Sequence, residues 1–232
     1  MKDRLRCWIA VGVALVVPAL GALAYFVLIP DPLTARMAYT ATKLFTVFWP
    51  LMAWFVILRN RPPTLLPLRQ HLSALPLGAA TGLFIGIAIL VMAAGPFREV
   101  VDASAPAIRA KAQLFGVLEH YWLFAAALST GHSLVEEYYW RWFVYGRLRM
   151  LIPSKAAHLV AGAGFALHHI VVASVYFGFG WGMVFGASTM IGGIVWSLLY
   201  ARQGTLAGAW LSHALVDMSL MWCGYKLLSG QA

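Results

Sequence analysis

The chain has 232 residues, 62% of them hydrophobic and 11% charged, with a mean hydropathy of +0.78. A soluble domain carries about 25% charged residues, so this composition excludes a water-soluble globule and predicts an all-α, polytopic transmembrane bundle. The net charge of +9 does not signal nucleic acid, because the basic residues gather between apolar runs, where they orient a membrane protein. The dyad alternation of a membrane β-barrel is missing too.

Apolar runs near the ~20 residues that cross a bilayer as helix predict about seven spans, seven to eight in all. In chain order they are residues 8–29, 38–58, 73–94, 115–145, 156–177, 180–200 and 205–228. Lys2, Arg4 and Arg6 precede the first run, which is too long for a signal-peptide core and reads as a retained helix. Pro30-Asp31-Pro32 ends it, Arg61-Pro62-Pro63 follows the second run, and Gly95-Pro96 closes the third. A charged stretch near Val100–Lys111 is too short for a further span. The fourth run is long, suiting a tilted helix, a kink at Gly131, or a surface helix feeding a span. Pro153 separates it from the fifth. Nothing marks a second domain or an internal repeat, so residues 1–232 read as one integral-membrane domain. Gly78/Gly82/Gly86 and Gly182/Gly186 have the small-xxx-small spacing that lets helix backbones approach. Cys7 and Cys223 fall toward opposite faces, so no disulfide is expected and no cysteine metal motif exists.

Basic residues set the orientation. They mark the N-terminus, the second-to-third connection (Arg59, Arg61, Arg69), the fourth-to-fifth (Arg147, Arg149, Lys155) and the sixth-to-seventh (Arg202). The N-terminus is therefore expected in the cytoplasm, and a bacterial inner membrane suits the compact basic chain.

Three acids lie well inside spans, Glu136, Glu137 and Asp217, and His168, His169 and His213 accompany them, with His132 a further candidate. A charge near a membrane-helix centre costs at least ~2.5–3.5 kcal/mol, so such residues need a reason. At 1.5 Å per residue, Glu136 lies ~16 Å from the inner end of its span, His169 ~20 Å, and His213 and Asp217 ~12–18 Å. All fall in one slab of the bilayer, which argues for one site. Glu137 and Arg141 are i,i+4 and suit an ion pair; Glu136 points ~100° away. His213 and Asp217 are also i,i+4. Of His168 and His169, only one is expected to face a given direction. The chemistry that fits is water activation: a carboxylate in a low-dielectric site works as a general base, a histidine shares the proton, and a second polar pair orients a group, holds a metal or stabilises an oxyanion. Each element has a plainer reading. Glu137–Arg141 neutralises a buried arginine, His168 packs or faces lipid, His132 bridges helices, and His213–Asp217 clamps two helices.

Three motifs resemble the CPBP family, named for CAAX proteases and bacteriocin processing, whose best-known member is the Ras-converting CAAX endopeptidase. They are Glu-Glu-x-x-x-Arg at Glu136, Glu137 and Arg141, Phe-x-x-x-His at Phe165 and His169, and His-x-x-x-Asn/Asp at His213 and Asp217. The resemblance covers roughly residues 115–225. It implies an intramembrane endopeptidase acting on a membrane-bound or lipidated protein or peptide. It selects His169 over His168. Glu136 then resembles the base that activates water with His169, Glu137 and Arg141 the supporting ion pair and a substrate contact, and His213 with Asp217 the pair that stabilises the intermediate. Asp217 stands where Asn is commoner, and a carboxylate cannot donate a hydrogen bond unless protonated. A metal stays open: His169, His213, Asp217 and Glu136 offer zinc ligands, yet no His-Glu-x-x-His occurs. The metal-free, cofactor-free mechanism is favoured. The alternatives are a proton-coupled transporter, whose Glu136→Gln variant loses flux without changing any protein's size, and a non-catalytic scaffold or immunity protein of the same fold, in which the motif residues need not be present.

Overall fold

A computed structural model describes residues 2–114 and 116–230. Among them are nine helices and no strands. α1 is Lys2–Leu28, α2 Pro32–Ile57 and α3 Leu68–Ala94. α4 (Arg98–Ala103) and α5 (Ala105–Leu114) are short, too short to span, as the charge around Val100–Lys111 indicated. α6 covers residues 121–151, α7 is Ser154–Phe177, α8 Phe179–Gln203 and α9 Ala207–Ser229. α1, α2, α3, α7 and α8 are each long and apolar enough to cross a membrane. Residue 115, the expected start of the fourth span, lies outside the described residues.

Helix ends follow backbone chemistry rather than hydropathy. α1 begins among the charged residues from Lys2, and α6 runs past Arg147 and Arg149 to Leu151, because polar side chains do not interrupt i→i+4 bonding. Pro153 stops α6 and caps α7. Asp31 caps α2: its Oδ2 accepts from the Thr34 N–H at 2.8 Å and the Thr34 hydroxyl at 2.6 Å, with Pro32 at the first helical position, where no N–H is needed. Both hydrogen bonds favour the charged Asp31 carboxylate and hold its pKa below the usual value. Gly178 (φ 80°) turns α7 into α8, a conformation that glycine adopts without strain.

The chain forms two compact units. The first, residues 2–67 and 135–204, holds α1, α2, the second part of α6, α7 and α8. α7 and α8 pack closely because Gly182 lies on Ser174 and Gly186 on Ile170. Gly164 gives room to Leu15 and Trp140. The second unit, residues 68–134 and 205–230, holds α3, α4, α5, the start of α6 and α9. There Gly78 meets the Gly208 backbone, Gly82 the Ser212 backbone and Gly86 the Ser219 side chain. A Cβ at Gly82 would lie 2.8 Å from Ser212 Cα. The small-xxx-small spacing is helix packing in both units. Large apolar side chains such as Leu83, Phe84, Ile87 and Val91 stay exposed along α3, as a lipid-facing surface requires.

α6 is not uniform. Leu128–His132 and Tyr138–Tyr145 are π-helical, and Ser133–Glu137 between them is α-helical. The first π segment contains Gly131, where the sequence suggested an irregularity. Such widened turns recur at functional sites, and these two flank Glu136 and Glu137.

Candidate active site

In the first unit, α6 and α7 bring together the first two motifs. Glu137 and Arg141 form the ion pair their spacing predicts, Nη1 to Oε1 at 3.0 Å, with both residues within 1% of full burial. The Arg141 guanidinium also lies over the Phe165 ring at 4.5 Å and the Trp196 ring at 5.0 Å, and Nη2 reaches the Gly193 carbonyl at 3.5 Å. Enclosed in this way, Arg141 holds α6, α7 and α8 together.

Glu136 is buried on the neighbouring face. Its Oε1 lies 3.4 Å from His168 Nε2. The His168 ring stacks nearly parallel to Trp140, centroids 6.0 Å apart, and Trp140 is one turn beyond Glu136 on α6. His169 Nδ1 bonds the Phe165 carbonyl at 3.0 Å. A carbonyl only accepts, so Nδ1 carries the proton and Nε2 is the basic end of the neutral ring. The second motif is thereby explained: Phe165 covers Arg141 with its ring and orients His169 with its carbonyl. The two imidazole centroids are 4.0 Å apart. One nitrogen from each and a Glu136 oxygen all lie within 4.8 Å of one another. The expectation that only one histidine faces a given direction does not hold, because the 100° between neighbours on α7 is small enough for two flexible rings to converge on one carboxylate.

Two imidazoles and a carboxylate are a donor set zinc accepts, with a fourth position left for water, and the 3.4 Å pair matches the spacing of two tetrahedral ligands, about 3.4 Å. His168 thus enters the candidate ligand set, which the sequence had drawn without it. In the second unit, His213 Nε2 and Asp217 Oδ1 lie 3.6 Å apart on α9, both largely buried. Ser212, next to His213, is the residue that Gly82 admits. α9 is further tied within its unit by Trp210 Nε1 donating to the Thr130 carbonyl at 2.9 Å and by His71 Nδ1 with Thr205 Oγ1 at 2.6 Å. His132 is half-buried at the end of the first π segment.

The sequence reading weighs His168 and sets it aside for His169; it leaves out one cation. Lys43, on α2, is within the electrostatic reach of Glu136, as are Tyr25 and Tyr39. Its signal is present in the sequence: it sits inside the second apolar stretch, five residues past the start at residue 38.

Fold and site together describe a helical membrane protein with a buried carboxylate and two imidazoles gathered on adjacent helices. Residues 118–219 match the family model of type II CAAX prenyl endopeptidases, Rce1-like. This segment contains all three motifs, and the match agrees with the CPBP resemblance they carry. The chain is thus similar, over that segment, to membrane endopeptidases. No curated protein and no solved structure matches it.

Proposed function

We propose that the chain is an intramembrane endopeptidase in which Glu136 activates water for attack on a peptide carbonyl. The observation that carries this reading is the convergence of Glu136, His168 and His169 within 4.8 Å. Glu136 takes a proton as the water oxygen bonds to the carbonyl carbon. It returns that proton to the amide nitrogen as the C–N bond breaks, leaving a carboxylic acid and an amine. His169, oriented by Phe165, shares the hydrogen bonding of the water through Nε2. Glu137 and Arg141 hold the helices that aim Glu136. The part given to His213 and Asp217, stabilising the tetrahedral intermediate, rests on their motif alone.

The name of the matched family supports a lipidated substrate, a prenylated protein or peptide whose tail lies in the bilayer. The basic connections support a cytoplasmic N-terminus in a bacterial inner membrane, with seven spans that include α6 and α9. The test is cleavage, by the protein in lipid vesicles, of a farnesylated peptide ending Cys-aliphatic-aliphatic-X and of its unprenylated twin. Preference for the farnesylated peptide, with Glu136→Gln slower by about 10²–10⁴-fold, is expected. Cleavage of both alike removes the lipid requirement while leaving the endopeptidase.

The three-ligand cluster also favours a second reading, in which Glu136, His168 and His169 hold zinc. Bound zinc would supply Lewis-acid activation of water. Elemental analysis decides: the metal-free proposal requires an active preparation without stoichiometric zinc, and its rate must survive chelation.

A further inference from the structure

We infer that Lys43 binds a carboxylate of the substrate beside Glu136, an inference that rests on the endopeptidase reading. Two contacts set the register of α2 against α6. The Tyr138 hydroxyl donates to the Val47 carbonyl at 3.2 Å, and Trp54 stacks on Trp142 with centroids 4.8 Å apart. Lys43 is one turn before Val47 and Glu136 half a turn before Tyr138, so the two side chains lie at one level. Counting from the helix ends gives the same answer: Lys43 is ~21 Å from the end of α2 at Ile57, and Glu136 ~22 Å from the end of α6 at Leu151. Lys43 is also ~16 Å past the start of α2 at Pro32.

A lysine at that depth is costly without a counter-charge. Among the described residues the Lys43 ammonium makes no salt bridge; it lies 5.5 Å from the Tyr39 ring centroid, and Tyr39 meets the Tyr25 ring edge-on at 5.2 Å. A cation over an aromatic face keeps its donors for another group. Tyr25 and Tyr39 add two phenol hydroxyls to the same neighbourhood. The group that suits an ammonium and phenols in an apolar wall is an anion with acceptor oxygens. A peptide supplies one as its terminal carboxylate or as an Asp or Glu side chain. The half-buried lysine is open enough to receive it. Within reach of Glu136, it would fix the distance between that carboxylate and the scissile bond. Lys43 then sets which bond is cut, not how water is activated.

The experiment uses a peptide from a substrate whose cut terminus vanishes in membranes carrying Glu136→Gln. It is made with a free C-terminus, with a C-terminal amide, and with Asp and Glu changed to their amides. The whole protein is compared as wild type, Lys43→Met and Lys43→Arg, in vesicles of neutral phospholipid and in vesicles with anionic phospholipid added. The expected result is a wild-type preference for one carboxylate form of about tenfold or more in kcat/KM, lying in KM. In Lys43→Met that ratio falls to near one, and Lys43→Arg retains most of it. The terminal amide and the side-chain amides tell which carboxylate is read. A ratio unchanged by Lys43→Met overturns the inference. So does an equal loss on every peptide with a displaced pH profile, which makes Lys43 a partner of Glu136, and so does a loss seen only in anionic vesicles, which makes it a lipid-phosphate contact. If no terminus vanishes in the Glu136→Gln membranes, the endopeptidase reading itself fails, and the Lys43 inference falls with it.

Discussion

Removing both charges of the Glu137–Arg141 pair should cost less than the sum of removing each alone. The pair is 3.0 Å apart and closed to solvent. At an effective dielectric of about 20, its gross attraction is about 5–6 kcal/mol. The faces of Phe165 and Trp196 add about 1–2 kcal/mol each, and desolvation of both ions offsets much of this sum. Arg141→Met leaves Glu137 buried without its counter-ion, so a loss of about 3–5 kcal/mol is expected. Glu137→Gln should cost a similar amount by stranding Arg141. The double variant strands neither, and methionine can fill the slot between the two rings. It should recover about 2–3 kcal/mol of the summed losses. Reversible unfolding in mixed micelles, run on the wild type, both singles and the double, gives the coupling energy. A loss under about 1 kcal/mol for Arg141→Met, or a double variant equal to the sum of the singles, would mean that the two charges are not coupled in the folded protein.

His169→Ala should slow cleavage by about 10²–10⁴-fold with little change in melting temperature, because the ring is half-buried and its main bond is local; steady-state kinetics and a thermal melt check both. His168→Ala separates the two readings of the cluster: it should leave zinc content unchanged under the metal-free proposal and abolish bound zinc under the other, read by elemental analysis. Gly82→Ala places a Cβ 2.8 Å from Ser212 Cα and should destabilise the second unit by about 1–3 kcal/mol, seen as earlier exchange of α9 amides with deuterium. Asp31 has a folded pKa held below its unfolded value, so its contribution is present above about pH 3.9 and is lost as pH falls through the folded pKa. Melting curves of wild type and Asp31→Ala should therefore differ at neutral pH and converge in strong acid.

The helical class was legible because a membrane forces backbone bonds inside each segment, and the apolar runs mark those segments. The Glu137–Arg141 pair was legible because i,i+4 spacing survives in a helix even where part of it widens. Three things were not. The end of α6 at Leu151 lies six residues past the apolar run, since hydropathy records the bilayer and not the hydrogen bonding. The π segments around Glu136 have no signature in residue type, and they change which neighbours share a face. His168 joined the cluster because rotamers, invisible in spacing, turn both rings to one carboxylate. Lys43 was readable in principle, but it becomes informative only once α2 is set beside α6 at the level of Glu136.

The most direct test of the central claim compares protein termini in native membranes from cells carrying the wild-type chain or Glu136→Gln at equal expression. The exchange is nearly isosteric and removes only the base. The endopeptidase account predicts that a defined set of termini disappears in the variant, with the uncut precursors accumulating. An unchanged set, under conditions where the protein is needed, would contradict it.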